Sequence, residues 1–431
     1  MRTAGLSLEQ APPLSIPAGF FLAVPVSLLV AGCILLFTGA ETFGNPWHPQ
    51  TIALAHVGTI GVLLPGMFGA LYQMIPVVAG APVAAIRLAH GVQAFLLIGL
   101  AAFVWRMFGG PVFAMTLTSY SLGIALLGFL LPVGWSLSRP ATRNETTLGM
   151  RIAVIVLAAI TLMGLIMAQG YAGSGFPQGR FLWTQVHLTL ALLGWVGGLI
   201  MAVSWQVVPM FYLAGTTGTA SKRILLGALV TGLVLPFVVF IAGDLRDSVL
   251  SATQWAAVAS MPAALAVWVA HPLLTLQGLA KRKRRRSDAS LLFWRSGLIS
   301  ALLLLPMAVV ACTADDARWQ VLFGWFAIWG WAGMILHGML TRIVPFLVWF
   351  HRVAPRIGKT KVVSIRSLLP QQRIKIGFAC HLVSLALGAV AIVTQADVVA
   401  GMTGVLLLAT GISLSGSLVH VLTNSGRAVP E

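Results

Sequence analysis

The chain has 431 residues, 58% hydrophobic and only 9% charged, with 27 Lys+Arg against 10 Asp+Glu and a net charge of +17. Soluble globular proteins carry about a quarter charged residues, so that class is excluded. A dozen bilayer crossings need roughly 240 apolar residues, which 58% of this chain supplies, so the basic excess is read first as membrane topology and not as a nucleic-acid surface.

Apolar stretches long enough to cross fall at 16–37, 51–78, 84–107, 112–137, 150–169 and 182–214, then at 223–242, 250–278, 293–312, 319–349, 374–396 and 398–422. The expected fold is an all-α polytopic membrane protein of about twelve transmembrane helices, forming one transmembrane domain over 1–431. Of the 27 basic residues, 22 lie at the termini or in and beside the loops after spans 2, 4, 6, 8 and 10, including the run Lys281–Arg286. The other side carries Arg106, Arg180, Arg246 and Arg318, and Arg342 alone lies well inside a span. Positive loops stay cytoplasmic, so both termini are expected there, with the inner membrane of a bacterial cell as the location. The basic run reads as a topology signal, with acidic lipid headgroups as an alternative partner.

Cys33, Cys312 and Cys380 lie singly in apolar stretches, without CxxC or CxxCH. Zinc modules, disulfide frameworks and covalent c-type haem are therefore not expected. Nor is a removable signal peptide, since a Pro-rich approach leads straight into a full-length span.

Spans 2, 6 and 10 share a pattern at their cytoplasmic ends: Gln73-Met74-Ile75-Pro76, Gln206-Val207-Val208-Pro209 and Arg342-Ile343-Val344-Pro345. The prolines are 133 and 136 residues apart, which suggests three pseudo-repeats of four helices, about 16–137, 150–278 and 293–422. His56 and His187 precede their prolines by 20 and 22 residues, at matched depth near the outer surface, whereas span 10 has Trp325 there and His337 eight residues before Pro345. Glycines crowd these helices, as in Gly58, Gly61, Gly66 and Gly69 of span 2, letting helices or a flat porphyrin come close. Prolines 65, 76, 209, 236 and 345 are expected to kink or end their helices.

An imidazole or guanidinium inside a span is a candidate functional group. His56, His187 and His337 are the candidate metal ligands, and His56 and Arg342 the candidate cofactor-binding residues, Arg342 facing either an anion such as a haem propionate or the headgroups. His90, His271, His381 and His420 lie in cytoplasmic halves of spans, where they either hydrogen-bond at the interface or form an inner site with Met74, Met210 or Met339. All ten carboxylates fall in loops, termini or span edges, which gives no support to an acid relay.

Span 2 and its exit, Ala55-His56, Pro65, Gly69, Pro76, then Gly80-Ala81-Pro82 and Arg87, resemble the second span of subunit I of the haem-copper oxidases. There an outer histidine ligates the low-spin haem and the helix leaves through a Pro…Gly-Ala-Pro…Arg segment. The spacing from His56 to Gly80 is a few residues shorter than in that family. Twelve spans, cytoplasmic termini and threefold arcs also match. The resemblance implies haem at His56 and a copper-ligand position at His187. It fails elsewhere: Leu188, Thr189 and Leu190 follow His187, 223–242 contains no histidine, and Phe323 and Trp325 stand where two haem histidines belong. The binuclear centre cannot form, so oxygen reduction is not expected. The implied function is a haem- or copper-binding membrane protein in electron transfer, respiratory-enzyme assembly or nitric oxide stress, the last by similarity to NnrS-type proteins. Membrane lipid and respiratory-complex subunits are the implied partners. Two other classes stay open: a transporter of a small molecule or metal, and a cofactor-free membrane partner protein.

Overall fold

A computed structural model describes residues 11–80, 82–242, 251–283, 288–359 and 362–424. Ala81, Asp244, Arg246, Asp247, Arg284–Arg286, Lys361, Glu9 and Glu431 lie outside the described residues. Helix is the only regular structure among them, because a backbone in hydrocarbon must satisfy its hydrogen bonds within its own segment. Twelve helices are long and apolar enough to cross a membrane: Ser15–Phe43, Pro49–Ala79, Ile86–Met107, Val112–Ser138, Glu145–Tyr171, Arg180–Tyr212, Thr219–Val239, Met261–Ala280, Ser290–Thr313, Arg318–Arg356, Gln371–Thr394 and Asp397–Asn424. They are numbered here as spans 1 to 12.

The side chains are distributed for lipid. Leu131, Ile155 and Ile224 are 70–71% exposed, while Gln73, Ser204, His271, His337, His381 and Ser384 are buried. Apolar side chains outside as well as inside, with a minority of polar groups in the interior, fit a protein whose solvent is hydrocarbon, where polar groups find partners inside. Spans 6 and 10 are the most buried, at 78% of their most apolar stretch, followed by spans 1 and 2 at 61%; the other eight range from 28 to 50%.

One expectation changes, and another is narrowed. Residues 250–278 do not form one helix: Ala252–Ala259 is a separate helix, capped at its start by Ser251 and Gln254, and span 8 begins at Met261. Pro262 sits in the first turn of that second helix, where its missing N–H is harmless, but it cannot continue the helix before it. Pro76, Pro209, Pro236 and Pro345, expected to kink or end their helices, lie inside helices that continue past them.

Spans 2, 6 and 10 also share a departure from the α-helix. Each widens into a π-helical turn, at Val57–Leu63, Leu190–Gly197 and Phe326–Gly333. Val57 to Pro76, Leu190 to Pro209 and Phe326 to Pro345 are each 19 residues. Gly61, Gly194 and Gly330 each stand 15 residues before their proline. An inserted residue of this kind is rare in helices and concentrates at functional positions.

The chain divides into two compact units. The first comprises Met1–Gln73, Arg286–Ser300 and Asp316–Glu431, so it contains span 1, most of span 2, the start of span 9 and spans 10 to 12. Within it, spans 2 and 10 run side by side in the same direction: a methyl group at Gly58 would meet Ile328 at 2.8 Å, and one at Gly66 would meet Leu336 at 2.6 Å. Outside the bundle, Arg318 holds the Asp316 carboxyl below the usual carboxylate range through their hydrogen bonds, and also donates to Val393 O at 2.9 Å, tying span 10 to span 11. The second unit comprises Met74–Arg285 and Ala301–Asp315. Here Gly194 is closed by Val156 of span 5 and Gly197 by Val267 of span 8, itself in a π-helical turn, Leu265–Ala270. Gly58, Gly66, Gly194 and Gly197 thus admit neighbouring helices.

Gly232 of span 7 faces the backbone nitrogen and side chain of Ala263, leaving no room for a Cβ. Gly232→Val is expected to destabilise the folded protein by about 1–3 kcal/mol through overpacking. Gly227, whose absent Cβ faces open space, should accept Ala with no loss. Thermal denaturation in detergent checks both.

Candidate functional site

The most ordered polar arrangement in the first unit joins spans 10 and 11. His337 and His381 are 4% and 0% exposed, and their Nδ1 atoms are 3.1 Å apart. The Nε2 of His381 donates to the carbonyl of Trp329 at 3.0 Å. That carbonyl belongs to the π-helical turn of span 10, where the regular i→i−4 ladder is interrupted. The Trp329 indole stacks on the His381 ring at 3.6 Å and 5° between planes. Its Nε1 donates to Ser384 Oγ at 2.9 Å, and that hydroxyl donates to the His381 carbonyl at 2.7 Å. The ring of His381 is therefore held on its face and at both nitrogens. Phe293 of span 9 packs against His337 at 4.5 Å between ring centroids. Gly377 leaves room for the other edge of His337, where a methyl group would stand 3.2 Å from Nε2.

The sequence singles out His337 and leaves His381 among four interfacial histidines. A signal for His381 lies in span 11 itself: Gly377, His381, Ser384 and Gly388 follow the i, i+4, i+7, i+11 spacing of one helical face. A stripe of small and polar residues is the mark of a close helix–helix contact in a membrane. Gly388 admits the ring of Trp325, whose Nε1 donates to Leu385 O at 3.0 Å. Met339, a candidate partner of an inner site, instead takes the Trp294 Nε1–H on its sulfur at 3.0 Å.

Arg342 lies just beyond His337 along span 10. Its Nη2 is 2.8 Å from Asp288 Oδ2, with side chains 16% and 13% exposed. Asp288 also accepts from Ser290 N at 3.1 Å and Ser290 Oγ at 2.7 Å, and so caps the start of span 9. The anion opposite Arg342 is thus a protein carboxylate from the loop before span 9, in the position the sequence left to a haem propionate or the headgroups.

His56 ends the first helical stretch of span 2, one residue before the π-helical turn. Its Nδ1 donates to Ile52 O at 2.8 Å, which puts the ring proton on Nδ1 in the neutral imidazole. A ring N–H held by a carbonyl is how protein histidines are oriented toward a metal. His187 lies in the second unit, on span 6, with its Cε1 3.5 Å from the position a methyl group would take on Gly164 of span 5. Of the three histidines chosen from sequence, His56 and His337 belong to the first unit and His187 to the second. In the second unit, buried His271 pairs through Nε2 with Ser204 Oγ at 2.8 Å. Among the described residues, no group of three or more His, Cys, Asp or Glu side chains converges as a metal site.

Comparison with known families gave no matching family model, and comparison with curated proteins gave no match.

Removing Asp288 leaves a largely buried guanidinium without its carboxylate. Asp288→Ala is expected to lower stability by about 3 kcal/mol, as for other broken buried pairs. Glu145→Gln, which removes the charge opposite the exposed, 73% accessible Arg223, should leave the melting temperature unchanged. Parallel melts of the two variants in detergent make the comparison.

Proposed function

We propose that this chain is an integral membrane cofactor protein, built on a frame like that of subunit I of the haem-copper oxidases, which binds haem or copper without reducing oxygen. It serves electron transfer, the assembly of a respiratory enzyme or the handling of nitric oxide stress. The observation that carries the reading is His56. Its ring is fixed through Nδ1 to Ile52 O, and it stands next to a π-helical turn whose distance from the following proline recurs in spans 6 and 10. The shared register favours descent of the three spans from one four-helix unit, which is the internal symmetry of that frame.

His56 is the residue that would hold a haem iron, its ring oriented by the Nδ1 bond to Ile52 O. When bound, haem would supply one-electron chemistry; the protein's part is to hold the imidazole in one tautomer. Nothing in spans 7 and 10 supplies the remaining ligands of an oxygen-reducing centre. Residues 223–242 contain no histidine, and Trp325, at the depth of a haem ligand, is engaged with Leu385 and with Phe43 at 5.8 Å between centroids.

Purified protein is expected to show a Soret band or stoichiometric copper, and His56→Ala to lose the haem while keeping its helical circular dichroism. A wild-type protein with neither haem nor copper after reconstitution would sink the reading. With 22 of the 27 basic residues on one side, both termini are placed in the cytoplasm of a bacterial cell. Reporter fusions check this: a fusion at the C-terminus should be active only as a cytoplasmic reporter, and one in the loop at Gly109–Gly110 only as an exported one.

A further inference from the structure

The His337–His381 pair poses a question of proton placement. A carbonyl can only accept, so the hydrogen bond to Trp329 O puts the His381 proton on Nε2 and turns its Nδ1 lone pair toward His337. Two arrangements of His337 satisfy that geometry. With its proton on Nδ1, the rings share an N–H···N hydrogen bond. With its proton on Nε2, two lone pairs converge on one point, and a cation must sit there.

The 3.1 Å distance fits an N–H···N hydrogen bond, and it fits the second arrangement as well. Two imidazole nitrogens bound to one ion at about 2.0–2.1 Å, with an angle near 100° between them, lie about 3.1 Å apart. His381 also has the outer-shell bond of a metal-ligating histidine, its far N–H on a carbonyl, and a stacked indole that prevents the ring from turning. The surroundings select the charge of the ion. Phe293 and Trp329 wall the pair, Phe378 packs on Phe293, and none is anionic. The desolvation penalty grows as the square of charge, so a dication held by two neutral ligands is far more expensive here than a monocation. Imidazole and thioether ligands suit copper, and the thioether selects its cuprous state. Met334, three residues before His337 along span 10, is a fully buried thioether.

We infer that His337 and His381 form a binding site for one monovalent copper ion, buried between spans 10 and 11. This deepens the metal-binding reading above and rests on it. Binding moves the His337 proton from Nδ1 to Nε2 and releases none, so affinity is set by the ion and not by deprotonation of a ligand.

The test is anaerobic titration of the full-length protein in detergent with cuprous ion against a cuprous chelator, with X-ray absorption at the copper edge. Wild type is expected to hold one copper per chain, with imidazole scattering from two rings. His337→Gln and His381→Gln should each weaken binding by more than about 100-fold, beyond the 10–100-fold that loss of an outer-shell partner gives. His420→Ala, on span 12, should bind as wild type does. Circular dichroism and gel filtration of both Gln variants, and of the milder His337→Asn and His381→Asn, keep loss of copper apart from loss of fold. Wild type without copper, copper held equally by the folded double variant, or a spectrum with no imidazole scattering would each overturn the inference. Haem lost only in His56→Ala, with copper unaffected by the His337 and His381 changes, overturns it and leaves the broader metal reading standing. Absence of both cofactors from wild type ends both.

Discussion

A polar side chain in a bilayer has no water to fall back on, and most of the specificity in this protein derives from that constraint. The helices themselves are its backbone form. Its side-chain form is the chain of bonds from Trp329 through Ser384 and His381 to His337, and the ion pair of Arg342 with Asp288. Each brings together elements that apolar packing alone would let slide, because lipid tails compete for apolar surface as well as another helix does. The first of these groups fixes span 11 against span 10. The second fixes the start of span 9 to the same helix further along.

The twelve crossings are legible in the sequence because a run of about 20 apolar residues has few other uses. The helix ends are less so. The break before Met261 is signalled by Pro262, but Ala252–Ala259 is apolar enough to be merged with span 8. The recurrence of proline in spans 2, 6 and 10 is visible as letters. The π-helical turns that accompany it are not, since no residue type marks an inserted position and the apolar run continues unbroken through it.

The candidate site is legible in the same uneven way. His56, His187 and His337 stand out because they lie in the three spans that share the proline pattern, yet that pattern does not say which of them meet. His381 becomes informative only when span 11 is read as a face, with Gly377, Ser384 and Gly388 beside it. Arg342 reads as the one cation inside a span, and its partner is hidden because Asp288 belongs by sequence to a charged loop. A loop residue that folds back under a helix cannot be seen from hydropathy, which sorts residues by neighbours in the chain and not by neighbours in space.

The π-helical turn in span 10 has a consequence for the spacing of residues along that helix. One residue in an α-helix is about 100° of rotation, so an extra one turns everything beyond it by more than a quarter of a circle. Trp329 lies within the widened turn and His337 beyond it, yet both meet the same histidine of span 11. A length change of a single residue between Phe326 and Gly333 would swing His337 off that face while leaving composition, hydropathy and the count of crossings untouched. The reading frame of this helix is therefore under a constraint of its own: among variants of the chain, substitutions should be far better tolerated there than insertions or deletions.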